Sequence, residues 1–100
     1  MEIVRNPAAS SFELLQDGQQ IGLVTYVQHG DEVTMTHLEV SDRYSGRGLA
    51  ADLVAAALAD VRAHGQSVIP TCPYVRGYIR KHREWADLVP ADRHPEFGLA

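Results

Sequence analysis

Arg43-Tyr44-Ser45-Gly46-Arg47-Gly48 decides how this chain is read, because it joins an alternating, strand-like run to a long amphipathic helix. The run before it is Glu32-Val33-Thr34-Met35-Thr36-His37-Leu38-Glu39-Val40. Strand alternation puts Val33, Met35, His37 and Glu39 on one side and Thr34, Thr36, Leu38 and Val40 on the other. Behind the glycines, Leu49, Leu53, Val54, Ala57, Leu58 and Val61 recur at helical spacing, and Gly65 stands where a glycine closes a helix. Glycines at 46 and 48 let the chain turn tightly and let an anion reach main-chain N–H groups, while the positive end of the helix adds field. Strand, glycine loop and helix in that order point to a pyrophosphate-bearing ligand.

Two better-known phosphate loops do not fit. Gly46-Arg47-Gly48-Leu49-Ala50-Ala51 satisfies the dinucleotide pattern G-x-G-x-x-A, but the next strand, Ser67-Val68-Ile69-Pro70-Thr71, ends without an acidic residue for a ribose hydroxyl. At 100 residues the chain is also too short for two βαβ halves. A Walker-type loop needs Gly-Lys-Ser or Gly-Lys-Thr, and no lysine lies near.

What remains, R-x-x-G-x-G, resembles the acyl-CoA motif Q/R-x-x-G-x-G/A of the GNAT N-acetyltransferase superfamily. Downstream, Ile69-Pro70-Thr71-Cys72-Pro73-Tyr74-Val75-Arg76 leads into Tyr78-Ile79-Arg80-Lys81-His82. This is similar to small, single-domain GNAT-like proteins that carry a P-x-C-P/S-Y/F-V segment after the last strand. The likeness runs from about Phe12 to Val89. It implies a minimal GNAT fold of the mixed α+β kind: a mostly antiparallel sheet, a parallel final strand and two main helices, in one domain over residues 1–100. It also implies acetyl-CoA or CoA as cosubstrate, held by Arg43, Tyr44, Ser45, Gly46, Arg47, Gly48 and the first helical residues Leu49 and Ala50. Main-chain donors for the thioester oxygen would come from a strand bulge near Leu38 to Val40.

The rest of the chain fits that frame. Met1 to Pro7 reads as a short edge strand or a loosely held arm. Phe12–Gln16 and Ile21–Val27 read as strands around an Asp17-Gly18 hairpin turn, and Gly30-Asp31 is a second turn. A helix is expected over roughly 46–64, a parallel strand near 67–71 and a second helix near 73–83. Residues 90–100, with Pro95 and Gly98, read as a tail whose removal leaves stability unchanged.

Acyl transfer to an amine needs donors for the carbonyl oxygen and a route for the amine's proton, since a lysine-type amine has a pKa of about 10.4. His37 and Glu39, two apart on one strand face, are the candidate bases; the alternative is a hydrogen-bonded core histidine beside a loop-bracing Glu39. Cys72 stands just before a helix start, where a side chain meets the positive end of the helix. Three roles are open to it: acyl-carrying nucleophile, proton donor to departing thiolate, or apolar filler lining the site. Tyr74 is a further proton donor for the thiolate, with packing as its alternative. Arg76, Arg80 and Arg83 form a stripe on the second helix, and Arg76, nearest the site, is the candidate for a CoA phosphate.

Composition narrows the partners. A net charge of -4 argues against a general nucleic-acid binder, and no apolar run is long enough for a membrane span. The single cysteine excludes an internal disulfide and fits a cytoplasmic protein, and no His/Cys spacing suggests a metal. Larger superfamily members insert helices between their first two strands; Asp17-Gly18 leaves no room for them here. The expectation is an acetyl-CoA-dependent N-acetyltransferase, a monomer or weak homodimer, acting on a small amine, a polyamine or a protein lysine. A CoA-binding sensor without efficient catalysis would need the same cradle, and a helix-mediated adaptor would use Tyr78 and Trp85 instead.

Overall fold

The computed structural model describes residues 1–44 and 46–100; the expected loop contact at Ser45 lies outside the described residues. The strands are β1 (Glu2–Asn6), β2 (Ser11–Gln16), β3 (Gln19–His29), β4 (Glu32–Val40) and β5 (Ser67–Pro70). The helices are α1 (Leu49–Ala63) and α2 (Pro73–Lys81), followed by 3-10 turns at Arg83–Leu88, Ala91–Arg93 and Pro95–Phe97. The sheet runs in sequence order, with β1 to β4 antiparallel and β5 parallel to β4, as a helical crossover requires. This is the mixed architecture that the sequence predicts.

Local chemistry sets the hairpins. Asp17 and Gly18 have φ of 52° and 78°, the paired positive values of a tight two-residue turn between Gln16 and Gln19. One face of the sheet, with Phe12, Leu14, Val24, Tyr26, Val33, Met35 and Val68, shares a core with Leu53, Val54, Ala57, Leu58 and Val61 of α1. The five α1 residues are all wholly buried, so the helical spacing read from sequence marks the core face.

One open alternative is decided and two expectations need correction. The N-terminal segment is a true edge strand, registered Ile3↔Leu14, and Arg5 fixes it by donating to Tyr26, to Asp60 of α1 at 2.9 Å and to Gln66 at 3.0 Å. Alternation along β4 does not run unbroken: Thr25 pairs with His37 but Tyr26 with Met35, leaving Thr36 as an extra residue. That bulge reverses the phase, so His37 and Glu39 share a face with each other but not with Val33 and Met35. Leu38 packs toward the core instead.

The C-terminal segment is no free tail. Phe97 and Leu99 are 4% and 3% exposed, and Gly98, at φ 73°, turns the chain between them. Arg80 Nε donates to the Phe97 carbonyl and Arg83 Nη2 to the Leu99 carbonyl, both at 2.8 Å. Proline and glycine set the turns here, while the two apolar side chains supply the burial that composition alone understates.

Candidate functional site

Pairing between β4 and β5 stops at Met35↔Pro70. There the Met35 carbonyl accepts from the Cys72 N–H at 2.9 Å and from Thr71 Oγ1 at 3.0 Å, which turns the chain out of the sheet and into α2. Pro73, in the first turn of α2, has no N–H to leave unsatisfied. β4 continues to Val40 beside β3 alone. The two strands therefore part at the bulge, opening a cleft that begins between Thr36 and Cys72. The bulge itself is held by a 2.8 Å contact between the Thr25 and Thr36 hydroxyls. It stands at Thr36, slightly earlier than the Leu38 to Val40 position expected for the thioester donors.

The glycine loop lies at the open end of that cleft. Ser41 N donates to the Ile21 carbonyl, and a 3-10 turn over Asp42–Tyr44 carries Arg43 outward. Tyr44 is half-buried against the core, with the Arg47 guanidinium 5.4 Å above its ring. Gly46 and Gly48 have φ of 77° and 74°, and a Cβ at either would meet no atom within 4 Å. The backbone conformation thus demands glycine while the space around it stays open. α1 starts with the Asp52 N–H bonding the Gly48 carbonyl, and no side chain caps it. The N–H groups of its first turn, Leu49 and Ala50 among them, have no intrahelical acceptor and are available to an anion. Arg43 and Arg47 add positive charge; Asp52, in the same first turn, opposes it.

A cavity of about 340 Å³ lies between α1 and α2, lined by Ala51, Pro73, Tyr74, Gly77, Tyr78, Lys81 and His82. Tyr78 and His82 stack with ring centroids 4.3 Å apart. Gly77, inside a helix, has nothing within 4 Å of a Cβ position and leaves the groove open to the backbone. The sequence signal for this groove was the i, i+4 spacing of Tyr74, Tyr78 and His82, part of which reads equally as a packing stripe. Arg76 is not among the lining residues. Its Nη2 donates to the Thr71 carbonyl at 3.2 Å, and its Nε is buried without a partner among the described residues. Arg80 and Arg83 serve the C-terminal segment, and Lys81 is the cation on the groove.

The candidate chemical groups separate by exposure. Cys72 is 3% exposed and belongs to the core cluster at the N-terminus of α2. Tyr74 is 42% exposed; burial, then the neighbouring Tyr78 and Asp52, hold its phenol above the usual range, so it keeps its proton at pH 7. His37 Nε2 lies 3.0 Å from Glu39 Oε1, with both side chains largely in solvent on the sheet face opposite α1. His37 is therefore not a core histidine. A second, wider cavity of about 590 Å³ brings Leu38, Glu39 and Val40 together with Gln20 to Leu23 at the loop end of β3 and β4.

A family model described as "GCN5-related N-acetyl-transferase" matches residues 11–88. Among solved structures, a GCN5-like protein from Staphylococcus aureus superposes with a TM-score of 0.68 at 21% identity, covering 89% of this chain and 87% of that one. The ribosomal-protein-S18-alanine N-acetyltransferase of Escherichia coli superposes with a TM-score of 0.54 at 22% identity, over 58% of this chain and 38% of that one. A search of curated proteins finds no match.

Proposed function

The chain belongs to the GCN5-related N-acetyltransferase family, and on that premise we propose that it binds acetyl-CoA and transfers the acetyl group directly to an amine. The observation that carries this reading is the uncapped N-terminus of α1 behind two positive-φ glycines with free space around them, facing the cleft where β4 and β5 part. The first-turn N–H groups, Arg43 and Arg47 would hold the pyrophosphate. The α1–α2 groove would take the rest of the CoA chain, with Lys81 placed for a phosphate. Arg76 would act from behind by fixing Thr71, while Leu38 and Val40 would offer main-chain polar groups along the open edge of β4.

In the transfer step the amine nitrogen attacks the thioester carbonyl carbon and the C–S bond breaks. His37, oriented by Glu39, receives the amine proton, and Tyr74 returns a proton to the sulfur. The buried Cys72 lines the cleft in this reading and carries no acyl group. Cys72→Ser is accordingly expected to keep CoA affinity within about threefold and most of any activity, with no thiol-labile acetyl adduct on the wild type by intact mass; a stoichiometric adduct formed at the rate of turnover would replace direct transfer by a covalent relay. The ribosomal-protein-S18-alanine enzyme, by its name, acts on a protein, which supports a protein amine as acceptor here.

Calorimetry tests the central claim. The protein is expected to bind CoA and acetyl-CoA but not NAD, with affinity falling as salt rises, because the ligand's charge meets exposed cations and N–H dipoles. No CoA binding at millimolar concentration, or equal affinity for NAD, would remove the proposal.

A further inference from the structure

The two faces of the sheet differ in cover. α1 covers the face of Phe12, Leu14, Val24, Val33 and Met35, whereas on the other face Leu23 and Thr25 of β3 stay partly exposed and Val27, His37 and Glu39 are exposed. The pairing registers align Val4, Glu13, Leu23 and Glu39 in one row straight across these four strands. Glu2 and Leu15 flank that row on one side and Thr25 and His37 on the other, with Val27, 49% exposed, beyond them. The strand residues of this face carry four carboxylates, Glu2, Glu13, Glu32 and Glu39, and no lysine or arginine; Arg5 of β1 points to the other face, toward Asp60, while Arg93 of the C-terminal segment acts on Glu32. Glu13 is held in place by Asn6 Nδ2 at 2.9 Å and Ser11 Oγ at 3.3 Å, so its charge is fixed at the centre of the row.

We propose that this face is the acceptor-docking surface and that its occupant is a lysine-rich polypeptide segment lying across β1 to β4, with the reacting amine at the His37–Glu39 end. The inference rests on the acetyl-transfer reading and names its substrate class. Charge selects the occupant: acidic side chains interspersed with Val4, Leu15, Leu23 and Val27 match the ammonium heads and methylene stems of lysines. Size decides between a polypeptide and a small amine. Four strands at about 4.8 Å spacing set the outer members of the row about 14 Å apart, on an open surface. Small ligands gain affinity by burying about 70–90% of their surface in a cleft; the cavity at the Leu23–Glu39 end takes in only half of the row, and a peptide gathers contact area along the rest of it, past Glu13 and Val4. The reacting end is fixed by β4, whose bulge at Thr36 turns His37 and Glu39 to this face beside the point where β5 departs.

The test uses the full chain saturated with CoA, a fluorescently labelled ten-residue lysine-rich peptide followed by anisotropy, and two variants of opposite charge at one half-exposed position, Leu23→Lys and Leu23→Glu. Leu23→Lys is expected to weaken peptide binding about tenfold and Leu23→Glu to hold or strengthen it, with CoA affinity in both within about twofold of wild type. A folding defect would move both variants the same way. With acetyl-CoA, the peptide is expected to exceed spermidine at least tenfold in kcat/KM. Equal peptide affinity in the two variants, no peptide binding by a protein that binds CoA, or spermidine matching the peptide would each overturn the proposal. A wild type that fails to bind CoA would instead overturn the acetyl-transfer reading, and the docking surface would then stand or fall on the peptide titration.

Discussion

Deleting residues 92–100 is expected to lower the melting temperature by about 20 °C or more, or to leave the chain unfolded at 37 °C. The deletion removes Phe97 and Leu99, both nearly fully buried, together with the carbonyls that accept from Arg80 and Arg83. Truncating a buried Phe or Leu to Ala costs about 2–5 kcal/mol each, against a total stability of about 5–15 kcal/mol for a typical domain. In a domain of this size 1 kcal/mol moves the midpoint by about 4–8 °C. Leu99→Ala alone should therefore shift it by about 10–20 °C, while deleting the exposed Ala100 should change it by no more than about 2 °C. Thermal melts followed by circular dichroism decide the matter. A shift under about 5 °C for the nine-residue deletion would mean that these contacts add no net stability.

The contrast between this segment and α1 explains what sequence could and could not convey. α1 was legible because a fifteen-residue helix repeats its apolar signal, and Leu53, Val54, Ala57, Leu58 and Val61 all fall on one face. Phe97 and Leu99 repeat nothing; two apolar residues around a glycine dock where Arg80 of α2 and Arg83 of the turn after it bind their carbonyls. The same holds at the other terminus, where Arg5 reads as an ordinary surface charge until Asp60, Gln66 and Tyr26 are folded around it. The glycine loop was legible because its chemistry is local: φ and a helix start follow from Gly46, Gly48 and the residues beside them. Thr36 was not, since a bulge is a property of two strands and the alternation of one strand cannot reveal it. That single extra residue moved His37 and Glu39 from the core side to the solvent side of the sheet. The groove on α2 was half legible, its aromatic spacing being visible but its open floor at Gly77 depending on where α1 lies.

The most direct probe of the loop is Gly48→Val, because the structure allows conformational cost and ligand contact to be told apart. At φ 74° a β-branched residue is strained by about 1–3 kcal/mol, yet its Cβ would meet no protein atom within 4 Å. Gly30, in the β3–β4 hairpin at the end of the sheet away from the loop, has φ 59° and the same empty surroundings. Gly30→Val should therefore carry a similar stability cost with no cost to a ligand at the α1 N-terminus. Both variants are expected to melt about 5–15 °C lower than wild type. Their CoA affinities should diverge: within about twofold of wild type for Gly30→Val, and weaker by at least about a hundredfold for Gly48→Val. There the valine methyls occupy the space through which an anion approaches the N–H groups of Leu49 and Ala50, and the charged hydrogen bonds lost are worth about 1.5–3 kcal/mol each. Calorimetry at a temperature where both variants are folded gives the comparison. Equal CoA affinity in the two would mean that Gly46-Arg47-Gly48 is only the turn that starts α1, and the pyrophosphate site would have to be sought elsewhere along the cleft.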